Sequence, residues 1–269
     1  MRGASAESQE ALIAELESAI AGGADGNRLA DDLFGVAQLL RSEPGLRRIL
    51  TDQSTAADAK EGLVRRIFGT KLDDRSVDLL GSASRRRWAG TRDLGDALEH
   101  LGVVAVVKAA DRAGEADALE GQLFAFGRMV SENPQLRDVL SDPARSDQDK
   151  RSLLRGLLEG KVTSGTLRLA EQSTSGSHRT VAVAVDEYQK IAAKQRDRLV
   201  ALVRVARRLD ESTAQRLAAA LSDKYGRPVH LNEVVDSSVI GGVRVEIGDD
   251  VIDGTVVSRL EDARRRLAG

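Results

Sequence analysis

Ser42-Glu-Pro-Gly-Leu-Arg-Arg-Ile-Leu-Thr-Asp52 returns ninety residues later as Glu132-Asn-Pro-Gln-Leu-Arg-Asp-Val-Leu-Ser-Asp142. Proline, leucine, arginine and the closing acid keep register, while the polar residues between them drift. At the same offset Leu33-Phe34 meets Leu123-Phe124, and Lys60, Leu63, Arg65 and Lys71 meet Lys150, Leu153, Arg155 and Lys161. No gap is needed from 33 to 80. This is how two copies of one fold look once their surfaces have diverged. The competing reading is a chance match between two helical segments; such a match would not hold proline, acid and apolar positions together.

Each copy reads as a small helical bundle. Leu33, Val36, Ala37 and Leu40 share one helical face, as do Leu123, Phe126, Gly127 and Val130. Pro44 and Pro134 suit a first helical turn, where the missing N–H is no loss. A further helix carries Leu63, Val64, Ile67 and Phe68, echoed by Leu153, Leu154, Leu157 and Leu158. Thr55 with Asp58, and Ser146 with Asp149, are the expected N-caps. Gly69 and Gly160 are expected to close these helices in the left-handed conformation. Arg92 to Ala113 contains no breaker and is expected to join the last helix of copy one to the first of copy two. At about 1.5 Å per residue it would be a semi-rigid strut of roughly 30 Å. The expected division is one bundle over 1–100 and a second over 101–197.

The pattern changes over 198–269. Leu199 to Val205 has strand character. A helix capped by Asp210 follows, with Ala214, Leu217, Ala218, Leu221 and Tyr225 at helical spacing and Gly226 and Pro228 as its stop. Val229 and Leu231 alternate with polar residues, as do Val243, Val245 and Ile247, which predicts two strands. Val256, Leu260, Ala263 and Leu267 form the stripe of a last helix. The fold class is therefore mainly α: two tandem helical bundles followed by a small α+β module of the form β-α-β-β-α.

Several function classes are excluded or disfavoured. The chain has 269 residues, no cysteine, 3% aromatic residues and a net charge of -2. Thiolate chemistry is impossible, and there is no general pull towards nucleic acid or anionic lipid. The apolar run Leu101 to Val107 is far too short to span a bilayer, so membrane association must go through a partner. His178, in Ser173-Thr-Ser-Gly-Ser-His178, invites a nucleophile reading but lacks the G-x-S-x-G elbow. Arg85-Arg-Arg-Trp88 is either a strand-binding patch or a solvated helix end with Trp88 tucked into its bundle. Gly241-Gly242 precedes a strand, so no helix N-terminus follows to receive a phosphate. Asp249, Asp250 and Asp253 lack the spacing of a cation loop. We expect no catalytic residue, no cofactor and no metal. The glycine-rich segment reads as a tight entry, a strand, a Gly-Asp-Asp turn and a cap from Asp253 or Thr255. A branched side chain at Gly241 or Gly242 is expected to disrupt it.

The same segment, Val239-Ile-Gly-Gly-Val-Arg-Val-Glu-Ile-Gly-Asp-Asp-Val-Ile-Asp-Gly-Thr-Val256 with Arg259-Leu260, resembles the C-terminal signature of the delta subunit family of F-type ATP synthases. The mitochondrial relative is the oligomycin-sensitivity-conferring protein. Leu217 to Val229 and the bundle residues Leu50-Thr-Asp52, Lys60 and Leu63 are similar to that family too. Val239, Ile240, Gly241, Gly242, Val243, Gly248, Asp253 and Gly254 are the signature positions, carried over here as structural. An ordinary member has one bundle; the doubled bundle resembles the actinobacterial type. The resemblance implies a non-catalytic stator of the peripheral stalk. Its bundle would grip the N-terminal helices of the alpha subunits, and its C-terminal part would hold the b subunit. It further implies one copy per complex, at the cytoplasmic face of the cell membrane, with no nucleic acid and no direct membrane insertion. The rival is a helical adaptor binding RNA or other protein helices. Which bundle carries which contact stays open at this point.

Overall fold

The computed structural model describes residues 1–195, 199–226, 228–248 and 250–255. The chain divides into two compact units, Met1–Ala192 and Ala193–Gly269. Unit 1 begins with α1 (Ala4–Ala21), α2 (Gly26–Ser42), α3 (Pro44–Thr51), α4 (Ala57–Phe68), α5 (Asp74–Arg85) and α6 (Asp93–Arg112). It continues with α7 (Ala116–Glu132), α8 (Pro134–Ser141), α9 (Asp147–Leu158), α10 (Ser164–Gln172) and α11 (Val181–Gln195), which runs on past the boundary.

The position of α6 explains the arrangement. The buried stripe of α1 is Ser5, Ser8, Leu12, Leu16 and Ile20. Ninety residues on stand Gly95, Leu98, Gly102, Val106 and Ala110, all buried in α6. The buried Ala184, Val185, Tyr188 and Ile191 of α11 fall, at the same offset, on Leu94, Gly95, Leu98 and Leu101 of α6, buried as well. One helix is thus the last of copy one and the first of copy two. A helix dry on nearly every face belongs inside a core. The expected strut is therefore corrected: α6 has about the expected length of ~30 Å, but it is a central core helix. The expected boundary at 100/101 falls within it. The packing of α2 on α6 is close enough that a Cβ on Gly102 would lie 2.4 Å from the Phe34 ring.

The larger core joins α1–α6 to Leu119, Leu123, Leu169, Ala184 and Tyr188 of copy two. A smaller one holds Phe126, Val130, Leu140, Leu154, Leu158 and Val185. Local signals set the helix ends. Pro44 and Pro134 both open short helices. Ser146 accepts from the Asp149 N–H, whereas Thr55 caps nothing. Thr55 stands one residue early: Ala56 aligns with Ser146, and the Thr55 hydroxyl donates instead to Asp52 at 2.9 Å. Gly160 is left-handed at φ 74. Gly69 is not, at φ -59, because it aligns with Glu159 rather than Gly160.

Unit 2 holds β1 (Leu199–Val205), α12 (Glu211–Tyr225), β2 (Val229–Val235), β3 (Val243–Ile247) and β4 (Asp250–Asp253). The sheet order is β2-β1-β3-β4. β1 and β2 are parallel, joined through α12, and β3 runs antiparallel to both β1 and β4. Asp210 caps α12 by accepting from the Thr213 N–H, and Gly226 ends it at φ 66. Ala201, Val203, Val205, Leu221, Val245 and Ile247 form the core. The strand β4 occupies what the sequence reading took for turn and cap: its four residues are too few to show alternation. The expected last helix lies outside the described residues.

Candidate functional site

In unit 2 the chain leaves β2 at Asp236, whose carboxylate accepts from the Ser238 hydroxyl at 2.6 Å and the Ser238 N–H at 2.9 Å. Those bonds hold the carboxyl below its ordinary range, the hydroxyl foremost. Val239 then turns inward at 9% exposure, and Ile240 projects at 79%. Gly242 sits at φ 83, where a Cβ would lie 2.4 Å from the Gly254 carbonyl oxygen and 2.9 Å from Thr255 Cα. Only glycine meets both demands without strain. Gly248, at φ 58, turns β3 into β4. This returns Asp253 and Gly254 to the starting point, where the Gly254 N–H donates to the Val243 carbonyl at 2.9 Å. Asp253 accepts from the Thr255 N–H at 2.9 Å. Val239, Gly242, Val243, Asp253 and Gly254 thus build one corner, and Gly248 makes the turn at the far end of the hairpin; Gly241 lies beside the corner and Ile240 stands out from it.

Two surface hollows meet at that corner. One, of about 420 Å³, has Arg204, Asp236, Arg244, Glu246 and Ile240 in its wall. Arg204 pairs with Glu246 at 3.4 Å and Asp236 at 3.6 Å, and Arg244 with Glu246 at 3.2 Å. The other, of about 610 Å³, is walled by Arg207, Arg208, Thr213 and Ile240 to Val243. An exposed isoleucine between two charged hollows can anchor an apolar side chain of a partner while the arginines engage its polar face.

Unit 1 contributes a seam that sequence reasoning missed. Glu99, 2% exposed in α6, accepts from Arg41 at 2.9 Å, from the Ser177 N–H at 2.8 Å and from the Tyr188 hydroxyl at 2.8 Å. One carboxylate therefore ties together α2, the α10–α11 connection and α11. Burial, then the charge of Glu99, raises the Tyr188 hydroxyl well above its ordinary range. Burial first and Glu99 second raise Asp96. Elsewhere on the seam Arg168 grips Asp31 at 2.6 and 3.1 Å, and Arg151 donates to Gln38 at 3.1 Å and Ser175 at 2.8 Å. The available signal was an acid, Glu99, two residues before the apolar run Leu101 to Val107.

Other sequence candidates take structural places. Trp88 is buried and donates its indole N–H to Ala83 at 3.0 Å. Arg85 pairs with Asp58 and Glu61, and Arg86 with Glu15, so no stacking face is presented. The His178 ring meets Tyr188 edge-on at 5.8 Å. The Ser173 hydroxyl donates to the Ala170 carbonyl, and that of Ser175 accepts from Arg151. Neither of these serine hydroxyls is paired with His178. Copy two leaves Leu153, Leu157 and Val183 exposed. No helix among the described residues is long and apolar enough to cross a membrane.

Residues 103–267 match the family model for the ATP synthase delta (OSCP) subunit. The chain is 55% identical to the ATP synthase subunit delta of a Nocardioides species, covering 100% of this chain and 98% of that one. It is 44% identical to the ATP synthase subunit delta of Streptomyces avermitilis, covering 99% and 97%. A chain in the cryo-EM structure of the Toxoplasma gondii mitochondrial ATP synthase hexamer is similar at 18% identity and a TM-score of 0.32, covering 62% of this chain and 95% of that one. The family match opens inside α6 and takes in copy two and unit 2, while the two bacterial relatives match from end to end.

Proposed function

The chain belongs to the ATP synthase delta (OSCP) subunit family, and from that premise we propose how its units divide the work of a stator. It is a peripheral stalk subunit of the F-type ATP synthase, the complex that couples proton transport to ATP synthesis. End-to-end identity of 55% with a named delta subunit carries this reading. Copy two and unit 2 form the portion shared with the family at large, so they take the ordinary contacts. Copy two grips N-terminal helices of the alpha subunits in the alpha/beta head, offering Leu153, Leu157 and Val183 to the apolar face of an amphipathic helix. Unit 2 holds the b subunit at the corner from which Ile240 projects. Copy one buttresses copy two through α6 and the Glu99 seam, which suits a part that must resist torque. Several linked contacts together hold more firmly than any one of them. The polypeptide performs no reaction, needs no cofactor, and sits in one copy at the cytoplasmic face of the membrane without inserting.

The test is affinity capture of the tagged full-length chain from detergent-solubilised membranes. Alpha, beta and b subunits should come with it. Ile240→Asp should release b and keep the head; Leu153→Asp with Leu157→Asp should weaken the head contact and keep b. Recovery of RNA with the synthase left behind would favour the adaptor reading instead.

A further inference from the structure

A cavity of about 300 Å³ lies where α2 ends and α6 begins, walled by Leu40, Arg41, Arg47, Arg92, Gly95, Asp96 and Ser177. Arginines from three places in the chain thus share one hollow: the end of α2, the middle of α3 and the residue before α6. Arg41 is answered by Glu99 at 2.9 Å and by the Ser175 carbonyl at 3.2 Å. Arg47 meets no acid. Its Nη1 donates to the carbonyls of Leu40 at 3.1 Å and Arg41 at 3.4 Å, which holds its guanidinium against the cavity wall. The Arg92 side chain makes no hydrogen bond or ion pair among the described residues. The helix α6 starts without a side-chain cap, and Gly95 of its first turn stands in the same wall. Such a helix start favours an anion. With Glu99 balancing Arg41, Asp96 is set against both Arg47 and Arg92, so the wall keeps a net positive charge. Guanidinium groups arriving from several sides, with a helix start behind them, suit an anion with more oxygens than the two of a carboxylate. Leu40 is the aliphatic side chain of the wall, and no aromatic ring lines it. Nothing in it would hold a base or an acyl chain.

We propose that this hollow is a binding site for a small tetrahedral oxyanion of the phosphate class, held by Arg47 and Arg92 at the start of α6. Arg41 completes the wall with a guanidinium whose charge Glu99 already balances. The inference rests on the two arginines that no acid answers and is independent of the stator reading.

Calorimetric titration of the full-length chain with sodium phosphate, against sodium chloride and sodium acetate at equal ionic strength, tests it. Saturable binding of phosphate is expected, and of sulfate, which has the same shape, with no saturable heat from acetate or chloride. Arg92→Gln breaks no side-chain contact among the described residues and should weaken phosphate about fivefold, the modest scale of a solvent-screened charge. Asp96→Asn removes the acid of the wall and should tighten phosphate by about the same factor. A gain of affinity is an effect that a merely damaged fold would not produce, and parental urea midpoints show that both variants stay folded. Phosphate heats no larger than those of chloride would overturn the proposal. So would parental affinity in both variants, or acetate binding as tightly as phosphate, which would make the hollow an unselective basic patch.

Discussion

Leu63 and Ile67 of α4 lie against the core of copy one, whereas their counterparts in α9, Leu153 and Leu157, each keep 37% of their surface exposed. The row behind them does not differ: Val64 and Phe68 are buried in one copy, Leu154 and Leu158 in the other. Lys60 and Lys150 are likewise buried at the same place in both. Duplication has kept the inner row and released the outer one in a single copy. On this helix the more enclosed copy is the one outside the family match and the more open copy the one inside it, although copy one exposes Ile49 of α3 at 47%. A bundle wrapped by its own chain serves as a support, and one with an uncovered apolar row suits a partner.

Removing residues 1–92 is the severest attack on this comparison, because the family match starting at 103 suggests that copy two can stand alone. It should not. The truncation strips α1 to α5 from α6 and bares Leu94, Leu101, Val104 and Val107, all within 2% of complete burial in the whole chain. At about 1.5–3 kcal/mol for each large apolar side chain, the loss rivals the whole stability of a domain, about 5–15 kcal/mol. We expect dye-binding, non-cooperative unit 1 material. A truncated chain that melts cooperatively at the parent temperature would refute the shared helix. Glu99→Gln comes next. It removes the charge that faces Arg41 and sets an amide donor against three donors, which should cost about 2–3 kcal/mol in urea unfolding. Solvent screening of Arg41, a quarter exposed, keeps the cost at the low end for a buried pair. An unchanged midpoint and slope would mean that the seam contributes nothing to holding the copies together.

The shared helix also marks where the sequence was legible and where it was not. Proline at 44 and 134, the apolar faces of α2 and α7, and the strands Leu199–Val205 and Val243–Ile247 follow from local chemistry and were readable. Gly242 was readable too, because a bend before a strand calls for a residue without a Cβ. That one helix runs from copy one into copy two was readable as well; that it lies inside a common core instead of spanning as a strut was not, since a repeat offset says which residues correspond and not which surfaces meet. The pairs Arg41–Glu99, Arg151–Gln38 and Arg168–Asp31 are likewise separated by 58, 113 and 137 positions along the chain, and no periodicity carries that information. Thr55 failed as a cap through a shift of one residue that only the alignment with Ser146 would have exposed.

A finer measure of the difference between the copies comes from trimming the outer rows separately. Leu63→Ala and Ile67→Ala should each cost about 1 kcal/mol, since both rest partly on the core. Leu153→Ala and Leu157→Ala should each change thermal stability by less than about 0.5 kcal/mol, as surface positions do. Binding of the alpha/beta head should follow the opposite order, weakened by the second pair and spared by the first. Equal stability costs in the two pairs would show that α9 is as enclosed as α4.

The smallest expected effect lies in the turns that follow α3 and α8. Asp52 accepts from the Ser54 hydroxyl at 2.7 Å, the Ser54 N–H at 3.0 Å and the Thr55 hydroxyl at 2.9 Å. These bonds, the Ser54 hydroxyl foremost, bring its pKa from an ordinary 3.8 down to about 2. Its counterpart Asp142 accepts from the Ala144 N–H at 2.8 Å and faces Arg145 at 3.8 Å. A depressed folded pKa means that the unfolded chain binds more protons between the two values. The contribution of Asp52 is therefore complete above its unfolded value of 3.8 and is lost as pH falls towards about 2. Asp52→Asn should remove that acid-sensitive part, lowering protection near neutrality and leaving it unchanged at the acid end. Amide-resolved hydrogen exchange at the start of α4 should report this change, while the start of α9 should keep its parental profile. If acidification from pH 4 to 2 loosens α4 equally in the parent and in the variant, the turn hydrogen bonds of copy one are not what distinguishes it from copy two in acid.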